Sequence, residues 1–247
     1  MSGHNAPQHQ RSRITGGISP GILGAPSGGI YDGLVAYWSM DEVTDTGMIR
    51  DGTGRGNDIR CSSNNVGKIG RGFSTTSSYL WIADNSDLSI GSGQTLTISL
   101  WANPTSTAAM TFIGKDAATT NRSYRIGYSY TSGDRVVYAY VFNNNSSQAE
   151  VHSSAALALN SWNFVLYCWD GTNKILSVSV NNGTDASVSY TGGVANCTSN
   201  FEIGRLQEIN GQYLSGGIDE VCVWKRVLTP DERALLYNGG NGTNLRS

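Results

Sequence analysis

The chain of 247 residues reads as an all-β protein, an antiparallel sandwich or barrel with one short C-terminal helix and an extended N-terminal arm. Three observations predict it. Strand-like runs recur at short intervals from Ile30 onward, turn clusters separate them, and a single helix signal stands near the end. Composition agrees: 31 Gly, 12 Tyr and 6 Trp against 5 Pro suit short strands joined by tight loops and suit a helical bundle badly.

The predicted strands fall at 34–38, 79–82, 96–101, 110–114, 124–130, 136–142, 162–169, 174–180, 186–190, 201–204 and 217–224. Leu96, Ile98 and Leu100 alternate with Thr97, Ser99 and Trp101, as in a strand covered on one face. Turn clusters at 131–134, 170–173 and 181–183 join neighbours, and the Asn182-Gly183 pair favours a left-handed hairpin turn. Thr229-Pro230-Asp231-Glu232 is a capping box with proline at the first helical position and acids at the positive end of the helix dipole. It predicts about two turns, ended by Asn238-Gly239-Gly240.

Residues 1–29 form a separate unit, rich in Gly and Pro, without an acidic residue, and charged +2 through Arg11 and Arg13. That leaves −4 (−2 minus +2) for the domain at 30–247. The arm is either a leader without structure of its own or a docking segment that orders on another subunit, anchored by Ile14, Ile18, Ile22 and Leu23. A net charge of −2 argues against a broad basic field for nucleic acid. No run approaches the roughly 18 apolar residues of a membrane helix, so no membrane insertion is expected. The amino terminus lacks the apolar centre of an export signal, so folding in a cytosol is expected. Cys61, Cys168, Cys197 and Cys222 share no metal-type spacing and are expected mostly as reduced thiols.

Six segments occur in a specific order: GLVAYWSMDE at 33–42, DGTGRGND at 51–58, GKIGRGF at 67–73, LTISLWANP at 96–104, WNFVLYCWDG at 162–171 and GIDEVCVWKRVLTPDE at 217–232. Together they resemble the LamG-like jelly-roll domains of the concanavalin A-like lectin/glucanase superfamily, over about residues 33–238. The resemblance implies a two-sheet antiparallel jelly-roll sandwich whose first and last strands lie close together. It also implies a calcium site, at Asp41, Asp51, Asn57 and Asp219, since relatives often carry calcium at the corresponding place. Arg55 departs from the family's usual S-G-N-G-N pattern there. The same aspartates are alternatively structural, accepting backbone hydrogen bonds at strand ends.

A second expected site is an aromatic platform of Tyr128, Tyr130, Tyr138 and Tyr140 with Asn144 in the adjoining loop, able to stack on sugar rings or a partner. The competing reading is core, with Val137, Ala139 and Val141 contesting the inward face. Catalysis finds little support. The glucanase pattern E-x-D-x-x-E lacks its first Glu at Asp219-Glu220, and His152 is the single histidine outside the arm. Two functions follow as expectations. One is a structural or adhesion protein of a virus particle, such as a bacteriophage capsid decoration or tail-fibre component. Its arm would dock on capsid or tail subunits, its sandwich would face outward to surface glycans, and it would be a homo-oligomer. The alternative is a free, extracellular, calcium-dependent lectin.

Overall fold

The computed structural model describes residues 28–42, 47–60, 65–91, 93–117, 120–131, 134–143, 147–207 and 212–246. The docking arm proper (Arg11, Arg13, Ile14, Ile18, Ile22, Leu23) therefore lies outside the described residues. The first strands are β1 (Leu34–Trp38), β2 (Met48–Ile49), β3 (Ile59–Arg60), β4 (Asn65–Val66), β5 (Arg71–Thr75) and β6 (Leu80–Ile82). The middle of the chain forms β7 (Leu96–Pro104), β8 (Met110–Ala117), β9 (Asn121–Thr131), β10 (Asp134–Asn143) and β11 (Ser147–His152). Then come β12 (Asn163–Asp170), β13 (Ile175–Val180), β14 (Ala186–Ser189), β15 (Phe201–Ile203), β16 (Gly216–Trp224) and the helix α1 (Pro230–Tyr237).

These strands build two antiparallel sheets. The first runs β14-β13-β12-β7-β16-β5-β4, with β1 also on β16; the second runs β11-β10-β9-β8-β15-β6-β3-β2. Leu34–Trp38 pairs with the end of β16, so the first and last strands are neighbours, as expected. Between the sheets lies the main core. Leu96, Ile98 and Leu100 meet Ile126, Val137, Ala139 and Val141 there, with Trp38 stacked on Phe201 at 5.5 Å. No helix among the described residues is long and apolar enough to cross a membrane.

The sequence expectation for β7 needs one correction. Its alternate face is buried too: Thr97, Ser99 and Trp101 are at most 2% exposed. A second apolar cluster covers them, built from Tyr37, Trp101, Phe164, Leu166 and Trp224 under Leu228, Leu236 and Leu245. The helix that closes this face is fixed at its start. Glu232 N donates to Thr229 Oγ1 at 3.3 Å, and Thr229 N donates to Glu232 Oε2 at 2.9 Å. Arg226 holds the same Glu232 through both carboxylate oxygens and also donates to the carbonyls of Asp32 and Gly29, tying both ends of the domain together. That guanidinium and the cap hold the Glu232 carboxyl down at about 2.

At the β13–β14 turn the left-handed residues are Asn181 and Asn182, one position earlier than the Asn-Gly pair suggests. Asn181 decides the register, since its side chain accepts from Phe164 N at 2.9 Å and its own N–H donates to Phe164 O at 2.7 Å. Cys168, Cys197 and Cys222 are free and buried.

Candidate functional site

The expected calcium residues do not form one cage. Asp51 and Asn57 belong to one loop network, in which Asp51 accepts from Tyr37 N, Thr53 N, Thr53 Oγ1 and Asn57 N. Asn57 Nδ2 donates to Val35 O at 2.8 Å and to Asp87 Oδ2 at 3.2 Å. Asp41 and Asp219 meet elsewhere, on either side of the 67–70 turn. Lys68 N and Ile69 N donate to Asp219 Oδ2 at 2.7 and 2.9 Å, and Arg71 N donates to Asp41 Oδ1 at 2.8 Å. The turn needs its glycines. A Cβ at Gly67 would come within 2.6 Å of Asp219 Oδ2, and one at Gly70 within 2.2 Å of Asp41 Oδ1.

A bulge in β16 between Asp219 and Cys222, with Glu220 at φ 48°, brings Glu220 into the same place. Tyr37 Oη donates to Glu220 Oε2 at 2.6 Å. Burial, with the neighbouring charge of Asp41, pushes Asp219 up to about 7 and Glu220 up to about 8. Among the described residues no group of three His, Cys, Asp or Glu side chains is arranged to hold a metal ion. Calcium thus loses Asp51 and Asn57 from its expected ligand set.

The aromatic platform is half corrected. Tyr128 is fully buried and, with Tyr124 and Ile126, faces the opposite sheet. Tyr138 and Tyr140 do lie on the outer face, because Val137, Ala139 and Val141 take the inward positions of β10. Of these two only Tyr140 is substantially exposed, since Tyr138 is 6% exposed. Asn144 and the Tyr130 side chain lie outside the described residues.

What the sequence reading missed is the row these tyrosines belong to. Register carries one outward line across seven strands: Glu150 on β11, Tyr140, Arg125, Gly114, Glu202, Trp81 and Arg60 on β3. At a strand spacing of about 4.8 Å the row is roughly 29 Å long. Its signal was parity: on β9 the residues out of phase with Tyr124, Ile126 and Tyr128 are Ser123, Arg125 and Gly127.

The row has two aromatic ends, with the buried Gly114 and Glu202 between them. At one end Arg60 sits 5.6 Å from the Trp81 ring, and the Arg205 guanidinium lies 3.4 Å from the centre of Tyr79, beside Tyr213. Arg205 holds the buried Glu202 with both arms, at 2.6 and 3.0 Å. At the other end Tyr140 stacks on Phe142 at 5.4 Å and 7°, Arg122 covers Phe142 at 3.8 Å, and Arg125 lies 4.7 Å from the Tyr140 ring. Burial, helped by Glu150, keeps the Tyr140 phenol protonated by pushing its pKa up. A Cβ at Gly114 would meet Thr111, Leu206 and Asp116 at 3.7–4.0 Å. Flat aromatic surfaces beside fixed hydrogen-bonding groups are what a sugar ring needs, apolar on its faces and polar at its edge. The carboxylates Asp116 and Glu202 are buried and each ion-paired with arginine.

Comparisons with known structures agree on the architecture. The binding domain of Paraclostridial Mosquitocidal Protein 1 superposes with a TM-score of 0.67 at 14% identity, over 85% of this chain and 52% of that one. Domain 4 of AbnA, a GH43 extracellular arabinanase from Geobacillus stearothermophilus, in complex with arabinotriose, gives 0.60 at 20% identity, over 85% of this chain and 98% of that one. The binding domain of Botulinum Neurotoxin DC in complex with SialylT gives 0.63 at 13% identity, over 85% and 52%. The chain thus spans about half the length of the two toxin structures. A comparison with curated protein sequences finds no match. The Laminin_G_3 profile matches residues 74–232, which is more than half of the chain, and the protein therefore belongs to this family of the concanavalin A-like lectin/glucanases superfamily.

Proposed function

We propose that this chain is a non-enzymatic glycan-binding domain whose ligand lies along the outer face of the β11–β2 sheet. The observation that carries the reading is the register row from Glu150 to Arg60, in which partly exposed aromatics alternate with fixed charges on either side of Gly114. Structural neighbours crystallised with arabinotriose and with SialylT support the choice of ligand class. A glycan array probed with the full chain, followed by titration calorimetry, tests it. Trp81→Ala and Tyr140→Ala are each expected to weaken binding about tenfold or more, as losing a central aromatic does at other interfaces. A folded wild-type chain that binds no glycan on the array would sink the proposal.

Display on a virus particle is the finer form of this function, with residues 1–29 as the attachment. Its support is the composition of that segment, apolar anchors in a basic Gly/Pro frame. Deleting residues 1–27 is then expected to leave glycan binding intact and to abolish incorporation into particles; incorporation of the shortened chain would refute it. Calcium enters the proposal as an ion between Asp41 and Asp219 at the 67–70 turn, with no third acidic side chain among the described residues in its shell.

A further inference from the structure

Arg125 is the cation in the aromatic end of the row near Tyr140, and its hydrogen-bonding capacity is largely unspent. Its side chain is 12% exposed and carries five N–H donors, yet it makes no hydrogen bond to any described residue. Its Nε is buried without a partner. Its ion pair with Asp116 spans 3.4 Å, longer than a good hydrogen bond. Asp116 is already taken: Arg122 Nε donates to Oδ1 at 2.8 Å and Arg122 Nη2 to Oδ2 at 3.3 Å. Two guanidinium groups thus share the Asp116 carboxylate, and Arg122 takes its better-formed hydrogen bonds. Glu150, the carboxylate beyond Tyr140, is bound to His152 Nε2 at 2.7 Å.

The Arg125 guanidinium also keeps company with three rings, at 4.7 Å from Tyr140, 5.4 Å from Tyr138 and 5.7 Å from Phe142. A guanidinium packed against aromatic rings is held in place while its N–H edge stays available, and that edge matches a planar carboxylate with two parallel hydrogen bonds. Gly114, its register neighbour, puts no side chain of its own beside it.

We infer that the ligand is an acidic glycan, and that the edge of Arg125 takes the carboxylate of a uronate or similar sugar while Tyr140 backs the adjoining ring. This rests on the glycan-binding reading of the face and adds the charge of its ligand. A sulfate ester presents a tetrahedral anion, which fits a planar fork less well.

The test is an array carrying carboxylate-bearing, sulfated and neutral oligosaccharides, with methyl esters of the carboxylate set, probed with the full chain at low and at physiological salt. Binding confined to carboxylate glycans, lost on esterification, is the expected result. Arg125→Lys keeps the charge but not the fork, and is expected to lose affinity at least tenfold with an unchanged melting temperature. If Arg125→Ala fails to fold, Arg125→Lys and the esters still decide. Binding led by neutral or by sulfated glycans would overturn the inference, as would carboxylate binding that Arg125→Lys leaves intact. In those cases loss of binding in Trp81→Ala would keep the glycan-binding face itself standing. No binding to any glycan would overturn both.

Discussion

The two sheets treat their outer faces in opposite ways, although both carry aromatic residues there. On the β14–β4 sheet Tyr37, Trp101, Phe164 and Trp224 are all 2% exposed or less, because α1 and the C-terminal segment lay Leu228, Leu236, Tyr237 and Leu245 over them. On the β11–β2 sheet Trp81, Tyr140, Tyr79 and Tyr213 remain partly exposed, each with an arginine or a second tyrosine beside it. Aromatic content therefore does not tell the two outer faces of this sandwich apart. The residues around the rings do: aliphatic lids on one side, guanidinium and carboxylate groups on the other. The first face contributes stability and the second is free to recognise.

The largest effect is expected where the lid is closed. Trp101 stacks on Tyr237 at 6.0 Å and packs on Phe164 at 5.4 Å, with the Lys68 ammonium 4.6 Å from its ring. Trp101→Ala is expected to cost about 3–5 kcal/mol, measured by urea unfolding. A loss below about 1 kcal/mol would show that the lid does not depend on this ring.

Next comes the buried acidic cluster beneath the same lid. The folded-state values of Asp219 and Glu220, about 7 and about 8, lie above the ordinary carboxylate values of about 4. Between those limits the folded chain holds more protons than the unfolded one. Stability is therefore full below about pH 4 and falls as pH rises through 7 to 8. Melting curves from pH 5 to pH 9 should show the decline, and Asp219→Asn should flatten it. Calcium relieves the same repulsion without a proton, so adding it at pH 9 should restore the melt if Asp41 and Asp219 hold the ion. A melt that calcium leaves unchanged would remove calcium from the proposal.

A smaller effect belongs to the start of α1. Removing the cap with Thr229→Ala is expected to cost about 1 kcal/mol. The partner Glu232 keeps its hold on Arg226, which limits the damage.

Much of this architecture was legible in the sequence, and the exceptions share a cause. The capping box, most of the strand runs and the closeness of the first and last strands were readable because they depend on local chemistry or on ordered motifs. Strands β2, β3, β4, β5 and β11 were not: the first three have two residues each and carry no periodicity, and the alternation in β5 and β11 is too polar to stand out. The turn at Asn181-Asn182 slipped by one because Phe164, 17 residues earlier, sets it through Asn181. The site was harder still. Tyr128 and Tyr140 have the same composition-level signal but opposite fates, and the parity of β9 against β10 separates them only once the pairing of Arg125 with Tyr140 is known. Nothing local in Glu202 or Trp81 announces that they share a row with Arg125, because the row is made by register across seven strands.

The smallest effect on stability should coincide with the largest effect on binding, and this is the sharpest form of the comparison. Trp81 is a large ring, yet it lies on the outward side of β6 between the inward Leu80 and Ile82, partly exposed with Arg60 over it. Trp81 belongs to neither buried apolar cluster, so Trp81→Ala should cost clearly less stability than Trp101→Ala while removing glycan affinity. Tyr140→Ala should behave alike, somewhat more destabilising because its ring backs Phe142 at 5.4 Å. The pair Trp81 and Trp101 then forms a matched test, one tryptophan on each outer face. If Trp81→Ala costs as much stability as Trp101→Ala, the β11–β2 face is a second closed core, and a ligand must be sought elsewhere. If it costs little and binding disappears, the same residue type is separated into structure and recognition by what the fold lays over it.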